Sequence, residues 1–289
     1  MKIVSPVLLG LSLAVVGSSL AAQQGMQGPP KVLTITREFL KPGRAGAIHD
    51  KSESRFVAAM TAAKWPTHYF ALNSLSGKSR ALFLTGYLSF KAWEDDFVAT
   101  MKNKTLSAEL DRASVADGDL LDGLDQFVFT YDEDLSYRPS PTLGHAKLME
   151  ITSFHIKPGH MHEFHELAHM VIDAHKKAGD SAHWATFEIA YGGDNEYVVF
   201  SDDKSMADID TGYAEDKQFR DAMGDDGMKK LSELVAACIQ ESDSELFAIN
   251  PAQSYPPDSW VQADPDFWKT KPAAAPAAKA APEAKKPAQ

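Results

Sequence analysis

Cysteine is nearly absent from this 289-residue sequence, and because Cys238 is the only one, no disulfide can form within the chain. Stability must therefore come from an ordinary core, and the 44% apolar and 24% charged residues are typical of a globular protein. P-loops, a GxGxxG sequence after a strand, EF-hand spacing and a Ser-His-Asp triad motif are also missing. These absences leave the histidines as the main candidates for chemistry.

Positive charge is scarce in the main body of the chain. The formal net charge is −11, and it becomes −16 when Lys2 and the +4 contributed by residues 269–289 are set aside. A body this acidic repels nucleic acid and anionic membranes. The acidity is compatible with neutral or cationic ligands, or simply with solubility, and we predict no nucleic-acid partner.

Long apolar runs are lacking beyond the first residues. Residues 1–22 combine Lys2, an apolar stretch from Val7 to Val16 and small residues after it, which is typical of a cleaved signal peptide. The alternative is a membrane anchor, for which this stretch is short. We therefore predict a periplasmic or secreted protein with no transmembrane segment after cleavage.

The C-terminal end has two parts. Residues 258–269 contain Trp260, Phe267 and Trp268, which we expect to wrap onto the body of the protein. Residues 270–289 are mostly Ala, Pro and Lys, a composition that predicts a disordered tail. Contact between this basic tail and an acidic cell-envelope polymer is one role that we consider.

A repeated pattern organises the rest of the sequence. Lys41-Pro42-Gly43 recurs as Lys157-Pro158-Gly159 at an offset of 116 residues, and offsets of 118 or 119 residues relate three further pairs. These pairs are Trp65 with Trp184, Phe129 with Phe247, and Ser136-Tyr137 with Ser254-Tyr255. Near-constant offsets indicate a tandem repeat, with units at 31–139 and 146–257.

Each unit has the pattern strand, helix, strand, strand, helix, strand. The predicted strands lie at 31–40, 67–75, 80–88 and 126–131, and then at 147–156, 186–190, 196–201 and 245–249. This βαββαβ order is the ferredoxin-like plan. Because helices cover only one face of such a sheet, two units can close their open faces against each other. We predict an α+β fold in which two tandem ferredoxin-like repeats form a pseudodimeric α+β barrel.

The strand followed by Lys-Pro-Gly, the helix ending near Trp65 or Trp184, and the hairpin together resemble the dimeric α+β barrel superfamily. The resemblance is to NIPSNAP-like proteins and antibiotic-biosynthesis-type monooxygenases, and it covers residues 32–139 and 148–257. It implies a pocket between the sheet and the helices of a unit, or inside the barrel. Because such families include cofactor-free oxygenases and haem-binding proteins, it implies a small-molecule or haem-type ligand, or cofactor-independent oxygenase-like activity.

Half of the ten histidines lie on or just before one predicted helix: His160, His162, His165, His169 and His175. The stretch 165–169 reads H-E-x-x-H, in which two histidines one helical turn apart bind zinc and the glutamate acts as base. A zinc-dependent metallohydrolase using His165, Glu166 and His169 is therefore an alternative function.

The same histidines have a simpler interpretation as a solvated helix face. The longer zinc motif needs glycine where this chain has Ile172, and an outer helix of a ferredoxin-like unit does not line a cleft. A metal or haem site that uses His165 and His169 stays open between these extremes. His49 and Glu53 have the same i, i+4 spacing in the first unit and are candidate ligands as well.

Five side chains are candidates for contact with a small-molecule ligand: His155, Trp184, Trp65, His68 and Arg37. The histidines lie at strand ends, where they can also be merely hydrogen-bonded, and the recurring tryptophans can also belong to the core. Arg37 is followed by Glu38 within the first strand, where charged side chains line a pocket or an exposed edge. The stretch Asp117-Gly118-Asp119 lacks metal-binding spacing and is predicted to be a loop or helix start.

The sequence thus leaves three classes of function open. The first is a small-molecule or haem-type binding protein or an oxygenase-like enzyme, the second a zinc hydrolase, and the third a structural envelope protein. Absence of a cofactor is the first expectation, with zinc and haem as alternatives.

Overall fold

The computed structural model describes residues 28–269, so the predicted signal peptide and the predicted tail at 270–289 lie outside the described residues. The strands are β1 (Val32–Leu40), β2 (Tyr69–Ser74), β3 (Arg80–Tyr87), β4 (Leu121–Tyr137), β5 (Leu148–Ile156), β6 (Trp184–Tyr191), β7 (Glu196–Asp203) and β8 (Ile239–Ile249). The helices are α1 (Ala47–Ala63), α2 (Phe90–Lys102), α3 (Lys104–Gly118), α4 (Met161–Ala178), α5 (Met206–Cys238), α6 (Asp258–Ala263) and α7 (Pro265–Trp268).

The eight strands form a closed barrel in the order β1-β3-β2-β8-β5-β7-β6-β4, with β4 returning to β1. All of the pairings are antiparallel. The first four strands are neighbours in the order β4-β1-β3-β2, and the last four in the order β8-β5-β7-β6. Two contacts, β2 with β8 and β4 with β6, join these groups and leave no barrel strand with an open edge. The predicted α+β class with a closed barrel is confirmed.

Glycines allow the reversals that follow β1 and β5. Gly43 and Gly159 have φ angles of 75° and 86°, a region that residues with a Cβ rarely adopt. The chain then enters α1 and α4. At the start of α2, Ser89 Oγ accepts a hydrogen bond from the Ala92 N–H, which satisfies one free amide of the first turn, as expected for a serine cap.

Alternate side chains of each strand face two different compartments. One set fills the barrel interior and includes Leu33, Leu72, Leu84, Met149, Phe187, Phe200 and Phe247. The other set faces the helices. On β5 and β7 this set includes Phe154 and Tyr197, which pack against Phe164 and Leu167 of α4 and Leu234 of α5. The two-residue period of a strand therefore separates a barrel core from a sheet–helix core.

Some elements are longer than the sequence indicated. β4 was predicted at 126–131, but it extends to Leu121–Tyr137 because it pairs with β1 on one side and β6 on the other. β8 likewise begins at Ile239 because it pairs along nearly the whole of β5. Gly224, with φ 70° and ψ 167°, interrupts the helical geometry of α5. Within residues 28–269, no helix is long and apolar enough to cross a membrane.

Closure of the barrel predicts that both groups of strands unfold together. Leu72 is fully buried on β2, the strand that contacts β8. We expect Leu72→Ala to lower the free energy of unfolding by about 2–5 kcal/mol, because it removes buried methyl groups and leaves a cavity. Chemical denaturation followed by circular dichroism should show one transition that moves as a whole.

The control is Leu75→Ala, because Leu75 lies just beyond β2 with 52% of its surface exposed. This substitution should change stability by less than about 0.5 kcal/mol. Two separate transitions in Leu72→Ala, with only one displaced, would show that the two groups of strands are not coupled.

Candidate functional site

A cavity of about 160 Å³ opens at one end of the barrel, and we call it the barrel-mouth cavity. Its inner wall consists of inward-facing side chains from six strands: Leu33, Phe70, Leu84, Met149, Phe187 and Phe200. An engineered apolar cavity of about 150 Å³ in another protein binds benzene. The barrel-mouth cavity is therefore large enough for a single ring.

Three segments outside the strands form the rim of the cavity: residues 28–30, 139–143 and 257–260. Trp260 lies edge to face against Phe70, with ring centroids 5.6 Å apart, and 5.4 Å from the ring of Trp268. Trp268 is buried and its Nε1–H donates to the Gly144 carbonyl oxygen over 2.8 Å. The aromatic segment 258–269 thus lies against the barrel mouth and fixes one side of the rim.

His68 contributes a polar group to the cavity wall. Its ring stacks on that of Tyr255, with centroids 4.8 Å apart. Burial lowers the pKa of His68, with the Tyr255 backbone and Asp258 opposing the shift. The imidazole is therefore neutral near pH 7 and can accept or donate one hydrogen bond.

His183 stands behind the rim and orients Asp202, which lines the cavity. Its Nδ1 lies 3.1 Å from the Ser181 carbonyl oxygen and its Nε2 lies 2.9 Å from the Asp202 carbonyl oxygen. Two carbonyl acceptors need two N–H donors, which only the charged ring provides. The Asp202 side chain, with these two carbonyls, raises the pKa of His183 to about 9.

A second feature lies on the helix side of the first four strands. Glu38 of β1, His49 and Glu53 of α1, and Asp117 of α3 converge there, and we call them the acid–histidine cluster. The His49 Nε2 atom lies 3.2 Å from Glu38 Oε2, 3.7 Å from Glu53 Oε1 and 3.7 Å from Asp117 Oδ1. The four side chains are between 0% and 9% exposed. One possible ligand atom from each of the four side chains lies within 4.8 Å of the other three, which is close enough for all four to hold one metal ion.

Burial dominates the electrostatics of the acid–histidine cluster. It raises the pKa of Glu53 to about 10, and the neighbouring Glu38 and Asp117 carboxylates add to the shift. Burial also raises the pKa of Glu38, while its hydrogen bond with His49 opposes the shift. Glu53 Oε1 and both Asp117 carboxylate oxygens have no hydrogen-bond partner. The cluster thus places three buried carboxyl groups around one imidazole and leaves three of their oxygens without a hydrogen-bond partner.

The structure brings two of the five predicted ligand contacts, His68 and Trp184, to the barrel-mouth cavity. Arg37 does not line the cavity, and its guanidinium group donates a hydrogen bond to Asp125 Oδ2 over 2.6 Å. His155 is paired in register with Glu196 of β7 and does not line the cavity.

Trp65 is also absent from the cavity lining. Its Nε1–H donates to Asp96 Oδ1 over 2.9 Å, and Asp96 also accepts from Thr67 and Tyr87. Trp65 therefore helps to hold the end of α1 against α2, and this contact gives it a structural role.

The predicted zinc motif is spread over separate contacts. His165 Nε2 lies 3.2 Å from the Tyr197 hydroxyl, His169 Nε2 lies 3.1 Å from Asp134, and Glu166 lies 3.3 Å from Lys230 Nζ. His169 and Glu166 are 46% and 41% exposed. By contrast, His49 and Glu53, the candidate ligands on α1, both belong to the acid–histidine cluster.

Two members of the cluster were not among the sequence-based candidates. Glu38 carried a signal, because it is a charged residue in a largely apolar strand and directly follows the candidate Arg37. Asp117 was expected in a loop or at a helix start, but it lies near the end of α3 and is 2% exposed. Its burial follows from the packing of α3 on α1, which the local sequence does not reveal.

No protein-family model matches this sequence, and no curated protein matches it either. Among solved structures, it resembles a candidate monooxygenase from Fusobacterium nucleatum with a TM-score of 0.52 and 13% identity over 76% of this chain and 93% of that chain. An anthrone oxidase-like protein gives a TM-score of 0.47 and 13% identity over 78% of this chain and 93% of that chain. A mutant chlorite dismutase from Candidatus Nitrospira defluvii gives a TM-score of 0.47 and 8% identity over 83% of this chain and 98% of that chain.

At this identity, the likeness to the Fusobacterium protein shows the fold alone. The fold shared with that protein is mixed α+β with a closed antiparallel barrel, and in this protein both groups of four strands lie in one chain. The site residues must be interpreted from their own geometry.

The contacts of His183 predict how stability depends on pH. An unfolded histidine has a pKa near 6.5, whereas the folded value is about 9. Charged His183 therefore stabilises the fold fully below about pH 6.5, and this contribution is lost as the pH rises through about 9. We expect the stability difference between wild type and His183→Ala to be larger at pH 6 than at pH 10 in urea denaturation.

An NMR titration of the His183 ring measures the same property directly. A midpoint near 9 is expected, and a midpoint below 7 would contradict the assignment of a charged ring at neutral pH. His169→Ala is the matched histidine deletion on an exposed helix face, and it should not reproduce the pH profile of His183→Ala.

Proposed function

We propose that this protein binds a small, largely apolar molecule with one ring in the barrel-mouth cavity. The observation that carries the proposal is the cavity itself, which has a volume near that of a benzene-binding site and a wall of apolar strand side chains. Polar groups from His68 and Asp202 lie at the same wall and can orient a ligand. This combination of an apolar wall and a few polar groups is typical of small-molecule sites.

The finer architecture belongs to the same proposal. The order of strands and helices and the recurring Lys-Pro-Gly turns support two tandem ferredoxin-like units, at 31–139 and 146–257, that form a pseudodimeric barrel. A NIPSNAP-like ancestry, export to the periplasm or the exterior, and contact of the tail with an envelope polymer are further parts of this proposal, each supported by the sequence patterns described above.

Haem does not fit the barrel-mouth cavity. A cavity of about 160 Å³ lies below the range of about 300–1,000 Å³ that is usual for drug-sized ligands, and a tetrapyrrole macrocycle exceeds it. The space near His165 on the helix side is filled by Phe154, Phe164 and Tyr197. A haem-type ligand therefore has no room at either place.

One observation favours a second candidate function, a cofactor-independent oxygenase-like reaction. His68 lines the cavity, and its lowered pKa makes the ring a neutral base that can take a proton from a bound ring hydroxyl or acidic carbon. The zinc hydrolase alternative has no comparable support, because Glu166 is paired with Lys230 on an exposed face.

Titration with toluene tests the proposed ligand site. Burial of seven carbons, at about 0.8 kcal/mol each, predicts a dissociation constant on the order of 0.1 mM. We expect saturable binding, an increase in the thermal midpoint, and a change in tryptophan fluorescence because Trp184 and Trp260 line the cavity. Ala185→Phe, which places a ring in the cavity, should reduce the affinity at least 10-fold.

The matched control is Ala62→Phe, the same substitution on the exposed side of α1. It should bind toluene like the wild type. Leu143→Trp provides a second blocking variant that leaves the strands unchanged, in case Ala185→Phe disturbs the barrel. Equal toluene affinity in all four proteins, each checked for folding by circular dichroism, would refute the proposed site.

A further inference from the structure

We propose that Glu38, His49, Glu53 and Asp117 bind one divalent transition-metal ion, at a site separate from the barrel-mouth cavity. The four residues come from three elements, so the site forms only when α1 and α3 pack on β1. The cavity is lined by the inner faces of the strands and by the rim, and none of these four residues belongs to it. The proposed metal site and the proposed ligand site therefore share no residue, and either can be disproved without affecting the other.

Unpartnered carboxylate oxygens are the main reason for the proposal. Asp117 is 3% exposed at its side chain, yet neither of its oxygens has a hydrogen-bond partner, and Glu53 Oε1 has none either. Buried polar atoms are nearly always satisfied, and a buried charge needs a partner of opposite charge. Three carboxyl groups face one imidazole here, and a cation placed between them would satisfy the unpartnered oxygens.

The distances in the acid–histidine cluster suit a single ion. Ligand atoms from all four residues lie within 4.8 Å of one another. In a site with metal–ligand bonds of about 2.1 Å, opposite ligands are separated by about 4.2 Å. Small rotations of the side chains are therefore enough to bring every donor to bonding distance.

The donor types narrow the choice of metal. One imidazole nitrogen with three carboxylates is a hard to borderline ligand set without sulfur. Carboxylates suit Mn²⁺, and imidazole suits Fe²⁺ and Zn²⁺, whereas Ca²⁺ and Mg²⁺ take oxygen ligands and Cu⁺ prefers sulfur. The cluster therefore fits Mn²⁺, Fe²⁺ or Zn²⁺.

Gln253 supplies the outer partner that a metal-binding histidine needs. Its amide nitrogen lies 3.1 Å from His49 Nδ1 and also donates to Asp50 Oδ1, while its Oε1 is buried without a partner. When the Gln253 amide turns over, its Oε1 accepts a hydrogen bond from His49 Nδ1–H. The His49 Nε2 atom, which faces the carboxylates, is then unprotonated and can bind a metal. Asp50 keeps a donor in either case, because Asn250 Nδ2 lies 2.8 Å from Oδ1.

The other half of the chain shows that the fold does not require these acids. At the offset of 116 residues, Glu38 corresponds to Phe154 and Ala81 corresponds to Tyr197. Phe154 and Tyr197 fill the space between β5, β7 and α4 with aromatic rings. In the first half the corresponding residue is Ala81, which is paired with Glu38 in register, is fully buried and carries no ring. The same sheet–helix space thus holds an apolar core in one half and buried acids in the other.

Metal binding is tested on the untagged full chain after chelator treatment. The protein is dialysed against Zn²⁺ or Mn²⁺ and its metal content is measured by elemental analysis. We expect about one equivalent of Zn²⁺ or Mn²⁺ per chain, and a higher thermal midpoint of unfolding in the presence of the ion that binds. Asp117→Asn and Glu53→Gln keep the shape of the side chain but remove a metal ligand. Each should lower the metal affinity by more than about 100-fold, because loss of a residue that only hydrogen-bonds to a ligand costs up to about 100-fold.

His169→Ala is the matched control, because His169 corresponds to Glu53 at the offset of 116 residues and lies on an exposed face. It should bind metal like the wild type. Binding that survives both cluster variants and disappears in His169→Ala would overturn the proposal and assign the metal to the histidines of α4. Absence of binding to the wild-type chain would overturn it as well.

Stability without metal separates a metal site from a structural network in which the acids share protons. In chelator, Asp117→Asn should raise the thermal midpoint, because it removes a buried carboxylate that has no donor. The increase in midpoint on adding Zn²⁺ or Mn²⁺ should disappear in the same variant. A lower midpoint in chelator, together with no metal effect on the wild type, would show that the cluster is a proton-sharing structural element.

Discussion

Closure of the barrel is the constraint on which the rest of this structure depends. Either group of four strands by itself would leave two strand edges with unpaired backbone groups, and the contacts of β2 with β8 and of β4 with β6 remove all four. Once the barrel is closed, each strand has one face inside and one face toward the helices. The positions of both candidate sites follow from this division.

The two faces carry different chemistry. The inner face is apolar around the barrel-mouth cavity, where binding depends on the removal of ring surface from water. The helix-facing side of the first half concentrates acids where water is excluded, so that charge balance decides what binds there. Successive residues of β1 show the contrast, because Arg37 turns inward to Asp125 while Glu38 turns outward to His49.

Much of the fold could be predicted because its signals are local. The hairpins, the Lys-Pro-Gly turns and the serine cap before α2 depend on neighbouring residues, and the sequence pattern located them within a few positions. The site was harder to predict. His49 and Glu53 were candidates because they are one helical turn apart, but Asp117 meets them only through helix packing. The H-E-x-x-H pattern was more conspicuous, yet the environment of Glu166 and His169 is a solvated surface.

The pairing of β2 with the end of the chain has a consequence for biosynthesis. Ala71 N–H binds Ser254 Oγ, 183 residues later, and β8 is the strand that covers the edge of β2. A chain that emerges from the ribosome N-terminus first therefore exposes this edge until β8 has been translated. During this interval the open edge of β2 is a place where pairing with another chain competes with the arrival of β8.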